Sequence, residues 1–283
     1  MKSEMAERAP WLIRRIPAGG VEQVQGLIDD LNLHTVCRSA SCPNLGECFH
    51  AGTATFLILG GICTRGCRFC AVPKGDPPPV DKAEAENVAI AVERMGLKHA
   101  VVTSVTRDDL PDGGAEQFAA CIRNIRAKGK AGTVEVLTPD FAGNRQSLQI
   151  VLAERPDVFN HNVETVPRLY EQVRPRANYR QSLAVLRQAA EFGIPWVKSG
   201  LMLGLGETEA EVLSVLGDLR QAGVNALTIG QYLRPTREHL PVVDYIHPDR
   251  FAFLAEQAKQ IGFGHVASGP LVRSSYHAGD VFG

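Results

Sequence analysis

Cys63, Cys67 and Cys70 stand in a C-x3-C-x2-C run directly after the apolar stretch 53–59. Thiolate is a soft ligand suited to zinc, copper(I) or iron–sulfur clusters, so three thiols in eight residues point to a metal centre. A second triad, Cys37, Cys42 and Cys48, precedes it at C-x4-C-x5-C spacing. Structural zinc sites are closed by four protein ligands, commonly in two pairs. Each triad is short of a fourth Cys, the C-x3-C-x2-C run has no His nearby either, and six thiols exceed one tetrahedral site but fall short of two. One composite zinc site with spare thiols is the alternative. A 4Fe–4S cubane on Cys63, Cys67 and Cys70 would leave one iron open to a small ligand. Gly60, Gly61 and Gly66 can take positive φ and let main-chain amides approach the sulfides. The seventh cysteine, Cys121, falls in a helical pattern and reads as a small core hydrophobe.

The elements that must position these thiols follow from the rest of the chain. Strands are expected at 53–59, 100–105, 133–138, 158–164, 196–202 and 226–232, with helical patterns between them. Asp81 with Glu84, and Thr208 with Glu211, have capping-box spacing, while Gly96, Gly129, Gly193 and Gly223 stand where helices should stop. Six βα units make an open, partial barrel, since a closed TIM barrel needs eight. The α/β fold expected is therefore a partial (β/α)6 TIM-like barrel at 51–250. An N-terminal extension at 1–50 would carry the first triad, and a C-terminal helix and tail at 251–283 would cover the site. Val21, Val24, Leu27 and Ile28 recur at helical spacing in the extension. Pro43, Asn44 and Gly46 make the first triad a looped segment. Arg14 and Arg15 beside Trp11 could dock an acidic partner or form a solvated edge.

Functional side chains in parallel α/β folds sit at the C-terminal ends of strands. Candidates there are Thr103, Ser104 and the turn 106–114 after the second strand, and Asn162 and Glu164 on one face of the fourth. Thr138 and Asp140 at the end of the third strand, Lys198 in the fifth and Arg234 after the sixth complete the set, with the glycines of 200–206 allowing close approach. The histidines are dispersed and read as hydrogen-bonded core or surface residues.

Bulk properties exclude several classes. Lys and Arg total 30 against 31 Asp and Glu, so a net charge of −1 gives no field for nucleic acid or a membrane surface. No apolar run approaches the ~18 residues of a membrane span. The first residues lack an apolar signal core, and the cysteine arithmetic suits ligation in a reducing cytoplasm rather than a disulfide framework.

The C-x3-C-x2-C run, with Phe69 before its last cysteine, resembles the signature of the radical S-adenosylmethionine enzymes. That resemblance implies that the open iron chelates S-adenosylmethionine, whose reductive cleavage releases a 5′-deoxyadenosyl radical. Added to it, the upstream triad and segments 103–114, 161–165, 198–207 and 273–278 make the chain from about residue 34 to 278 similar to the lipoyl synthase family. The likeness implies two 4Fe–4S clusters: a radical-generating one on Cys63, Cys67 and Cys70, and an auxiliary one on Cys37, Cys42, Cys48 and Ser274. It implies sulfur insertion at C6 and C8 of an octanoyl-lysine on a lipoyl carrier domain or H protein, with the auxiliary cluster as sulfur donor. A reduced ferredoxin- or flavodoxin-type protein would supply electrons. Phe69, Thr103, Ser104, Asn162, Glu164, Lys198 and Arg234 are the expected S-adenosylmethionine contacts. Rival readings keep the auxiliary cluster as an electron relay or substrate anchor, or make the chain a zinc-bearing interaction module.

Overall fold

The computed structural model describes residues 9–13, 21–51, 53–129, 131–276 and 278–282. Arg14, Arg15 and His277 lie outside them. Eight strands form one sheet in sequence order: β1 (His34–Thr35), β2 (Thr55–Ile58), β3 (His99–Ser104), β4 (Thr133–Leu137), β5 (Val158–Asn160), β6 (Trp196–Leu203), β7 (Ala226–Gln231) and β8 (His265–Gly269). Neighbours from β2 to β8 run parallel, and β1 lies antiparallel on the outer edge of β2. The central strands are buried at nearly every position, as parallel strands covered by helices must be. The result is the expected partial barrel, with one parallel strand more than the six anticipated. The extra strand, β8, belongs to the segment expected only as a helix and tail. Its sequence, His-Val-Ala-Ser-Gly, carries little apolar signal, and all five residues are half-buried.

The helices cover the outer face with their apolar sides. Val88, Ala89 and Val92 of Glu84–Met95 pack there, as do Phe118, Cys121, Ile122 and Ile125 of Ala115–Lys128. Gly96, Gly129 and Gly193 end their helices in the left-handed conformation, and Thr208 with Glu211 forms the expected capping box. Glu84 departs from its expected capping role. Its carboxylate instead accepts the main-chain N–H groups of Leu59 at 2.8 Å and Gly60 at 3.3 Å, closing the end of β2.

The floor of the barrel is sealed. Glu135 is fully buried; it accepts Lys198 Nζ at 3.0 and 3.1 Å, Asn160 Nδ2 at 3.0 Å, and lies 3.2 Å from His99 Nε2. Below this knot the short helix Gly279–Phe282 inserts Phe282, whose ring meets His99, Trp196, His265 and the Lys198 ammonium.

Candidate functional site

The loop leaving β2 carries Cys63, Cys67 and Cys70 across the open end of the barrel. It doubles back on itself: Cys63 N–H donates to Pro73 O at 2.8 Å, and Gly75 N–H to Cys63 O at 3.1 Å. Cys63 Sγ accepts two main-chain N–H groups, from Arg65 and Thr106, each at 3.4 Å. Arg65 pins the loop to the barrel rim. Its guanidinium binds both oxygens of Asp108 at 2.7 and 2.8 Å and Asp140 at 2.8 Å. Asp140 is buried; burial alone would raise its carboxyl, but the Arg65 bond and charge hold it below the usual range. On the far side, Arg68 N–H donates to Val173 O at 2.9 Å, and His239 Nε2 lies 3.0 Å from Cys70 O. Arg174 stands behind Cys67, donating to Asn162 O at 3.0 Å and to Tyr170 Oη at 3.3 Å.

Polar side-chain atoms without a partner gather at this end of the barrel. Among the described residues eight such buried atoms occur. Six belong to Ser104, Thr138, Asp140, Asn160, Asn162 and Thr165, at the ends of β3, β4 and β5 or in the turns beyond; Arg174, at the end of the helix Tyr170–Val173, and Trp11 supply the other two. An unsatisfied buried polar group costs about 1–3 kcal/mol, so this concentration marks a space shaped for a polar ligand.

Asn162 and Glu164 reach that space by a route other than strand alternation. β5 stops at Asn160, and the chain then bulges. His161 N–H donates to Lys198 O at 3.1 Å and Glu164 N–H to Gly200 O at 3.0 Å, so three steps on one strand match two on β6. Glu164 takes φ 68°, a left-handed conformation unusual for a side-chain-bearing residue. Its carboxyl is raised by burial, against the lowering effect of Arg174 and of the Asn162 hydrogen bond. His161 is held by Thr138 O at 2.9 Å and Ser182 Oγ at 3.0 Å, as expected of a core histidine.

The N-terminal triad is brought alongside by β1, which pairs His34 with Leu57 and Thr35 with Phe56. Two short helices, Val36–Ser39 and Leu45–His50, bear Cys37 and Cys48, where an irregular loop was expected. The segment after β8 packs on this triad. Asn44 Nδ2 donates to Leu271 O at 2.7 Å, and Tyr276 Oη donates to Glu47 Oε1 at 2.8 Å. Ser275 Oγ lies 2.8 Å from Thr55 Oγ1, and Ser274 Oγ accepts Asn162 Nδ2 at 3.3 Å. Two segments more than 220 residues apart in the chain thus meet at the barrel mouth.

Several expected contacts stand elsewhere. Lys198 is committed to Glu135 and the floor, because a buried carboxylate needs its charge there. Thr103 donates its hydroxyl to Leu137 O at 2.9 Å, across the strand pair. Arg234 is exposed and bonds to Arg237 O. Phe69 is half-buried against the core. Of the three glycines flanking the first cysteine, Gly60 alone has positive φ.

Comparison with known proteins places this geometry. The model of the Radical SAM superfamily matches residues 57–219. A lipoyl synthase of Rubrobacter xylanophilus is 56% identical over 274 residues, covering 96% of this chain and 85% of its own. One from Caldanaerobacter subterraneus is 54% identical over 276 residues, covering 97% of both. The chain belongs to the lipoyl synthase family. Among solved structures, the barrel of this chain resembles that of HydG from Carboxydothermus hydrogenoformans, with TM-score 0.58 at 14% identity over 92% of this chain and 77% of the other. SuiB from Streptococcus suis, bound to S-adenosylmethionine, gives TM-score 0.61 at 10% identity over 75% of this chain and 49% of the other. These two likenesses concern the fold.

The donor set fits the two 4Fe–4S clusters of the family. Among the described residues no three His, Cys, Asp or Glu side chains converge as ligands of a single metal ion. All six triad cysteines are free thiols. Burial pushes Cys37 up to about 11 and Cys70 up to about 12, so thiolate there requires the charge of bound metal. The unpartnered atoms beside the second triad suit a polar cofactor such as S-adenosylmethionine. Arg65, Arg174, His239, Asn44 and Tyr276 were not singled out as site residues from the sequence. The pairing of Arg with distant Asp, and of Asn with a distant main chain, leaves no local spacing signal.

Proposed function

We propose that this protein converts an octanoyl-lysine on a carrier protein to the lipoyl form by inserting sulfur at C6 and C8. The single observation that carries the reading is the convergence of both cysteine triads and Ser274 on one barrel mouth lined with unpartnered polar atoms. When bound, the clusters and S-adenosylmethionine supply the 5′-deoxyadenosyl radical that removes hydrogen from the acyl chain and the sulfur that replaces it.

The remaining work falls to this chain's own side chains. Cys63, Cys67 and Cys70 hold the radical-generating cluster, with Arg65 fixing the loop to Asp108 and Asp140. Ser104, Asn162 and Glu164 present polar atoms to S-adenosylmethionine, while Arg174 compensates the buried charge of Cys67 and Glu164. Cys37, Cys42, Cys48 and Ser274 hold the auxiliary cluster. Serine oxygen is a harder ligand than thiolate and a weaker match for cluster iron, so it is the ligand suited to leave. Residues 1–50 serve as the auxiliary-cluster extension, 51–250 as the barrel and 251–283 as the cover. The acyl arm enters from an octanoylated lipoyl domain or H protein, and a reduced ferredoxin- or flavodoxin-type protein supplies electrons in the cytoplasm.

The test is anaerobic. Reconstituted protein is given S-adenosylmethionine, dithionite and an octanoyl-lysyl peptide, without added sulfide. A peptide gaining two sulfurs, with loss of cluster sulfide, supports the reading. Formation of 5′-deoxyadenosine without sulfurated peptide refutes the substrate assignment. Ser274→Ala with an unchanged auxiliary-cluster spectrum refutes the serine ligand.

A further inference from the structure

Gly230, the fifth residue of β7, faces the segment that carries Ser274. A Cβ built at Gly230 would stand 2.2 Å from Val272 O, 3.2 Å from Val272 C and 3.2 Å from Arg273 Nη1. Gly230 is not among the residues with positive φ, so its backbone would accept any side chain. What excludes one is the main chain of Val272 lying directly on the strand. Arg273 is held in the same cleft, its Nη1 donating to Val272 O at 2.6 Å.

The opposite side of the segment is held by the cysteine loop itself. Asn44, with 3% of its surface exposed, donates to Leu271 O at 2.7 Å. Glu47 accepts Tyr276 Oη at 2.8 Å. Asn44 and Glu47 lie between Cys42 and Cys48, and the carbonyl and hydroxyl they bind flank Ser274 on either side in the chain. The segment that carries Ser274 is therefore held between β7 and the cysteine loop.

We propose that Gly230 and Asn44 are positioning residues for Ser274: Gly230 is the seat on which the main chain before Ser274 rests, and Asn44 is the clasp that ties it to the auxiliary triad. The proposal rests on Ser274 being the fourth ligand. Its consequence is that the serine stays within reach of the cysteine loop independently of the iron, because neither contact involves the hydroxyl. Loss of the Ser274–iron bond then leaves the segment in place.

The experiment compares fully reconstituted wild-type, Gly230→Ala, Asn44→Asp and Ser274→Ala proteins. Asn44→Asp keeps the shape of the side chain and removes its donor. Three quantities are read: the rate of iron release to a chelator, 5′-deoxyadenosine formed, and sulfurated product per 5′-deoxyadenosine. Outer contacts of metal ligands typically change metal affinity 10–100-fold, so both positioning variants should release auxiliary iron about tenfold faster. They should also yield less product per 5′-deoxyadenosine, with 5′-deoxyadenosine formation retained. Wild-type values in both variants, with Ser274→Ala affected, overturn the seat and clasp while keeping the ligand. An unaffected Ser274→Ala overturns the ligand reading itself. Loss of 5′-deoxyadenosine formation in both positioning variants overturns the proposal, since that marks a role in folding rather than in placing Ser274.

Discussion

Lys198 separates two accounts of the barrel interior: a contact for S-adenosylmethionine, or a counter-ion for Glu135. The geometry favours the second, with Nζ at 3.0 and 3.1 Å from the two carboxylate oxygens and both side chains sealed from water. Lys198→Met keeps most of the volume and removes the charge. Breaking a buried pair from one side costs about 3–5 kcal/mol, because the remaining charge is left uncompensated. Asn160 and His99 still touch Glu135, which places the expected loss near the lower end, about 3 kcal/mol. For a chain of this size that lowers the melting temperature by roughly 6–10 °C. The pH dependence changes sign. In the wild type, burial alone would raise the Glu135 carboxyl, but the Lys198 charge and the His99 bond hold it below 4.5. Its stabilisation is then full above the ordinary carboxylate value and is lost as pH falls through the lowered one. Without Lys198 burial dominates and the folded state binds the proton more tightly, so the variant gains stability between pH 7 and 5 as acid is added. Circular-dichroism melts at both pH values, with equilibrium dialysis of S-adenosylmethionine, make the measurement. Adding Glu135→Gln to Lys198→Met should recover a large part of the loss, since no buried charge remains. A Lys198→Met protein that melts like wild type but fails to bind S-adenosylmethionine would refute this reasoning.

Arg65→Ala should cost about 3–5 kcal/mol, since Asp140 is 2% exposed and loses its ion-pair partner. The same variant should retain less iron on the C-x3-C-x2-C loop, read as iron per chain after desalting. Arg65→Lys should rescue little, because one ammonium cannot reproduce a fork shared between two carboxylates. His161 is pushed down to about 4 from 6.5, chiefly by burial and then by Arg174. Its neutral form therefore stabilises the fold fully above pH 6.5, and that contribution, roughly 3 kcal/mol, drains away as pH falls toward 4. His161→Gln should flatten the melting temperature over that interval; a slope unchanged from wild type would count against the assignment.

The six strands richest in apolar and β-branched residues were legible, as were the glycine stops and the Thr208 capping box. β1 and β8 were not. One is two residues long, and the other is held by its neighbour's ladder rather than by its own hydrophobicity. Alternation places Asn162 and Glu164 together and reaches the right neighbourhood for the wrong reason, because a bulge after Asn160 turns them inward. Lys198 was misjudged because a lysine in a buried strand shows no partner in its own segment; Glu135 lies 63 residues away. The two cysteine triads were plain from spacing alone. That they face one mouth depends on β1 pairing and on the Asn44 and Glu47 contacts, which no local pattern announces.

The two ends of this barrel treat buried polarity in opposite ways, and the contrast locates the chemistry. At the floor, a carboxylate, an ammonium and an imidazole are joined and then capped by Phe282. At the mouth, Ser104, Thr138, Asp140, Asn162, Thr165 and Arg174 each keep a buried atom unmatched. Asn160 sits at the join, with Nδ2 bonded to Glu135 and Oδ1 unmatched. A fold optimised for stability alone would satisfy both ends. Orphaned atoms on one side, beside six free thiols, are the expected cost of keeping a site ready for ligands that arrive later. The floor can be rigid because nothing passes through it. The mouth must stay open to a cofactor and an acyl arm, and its polar groups wait for them.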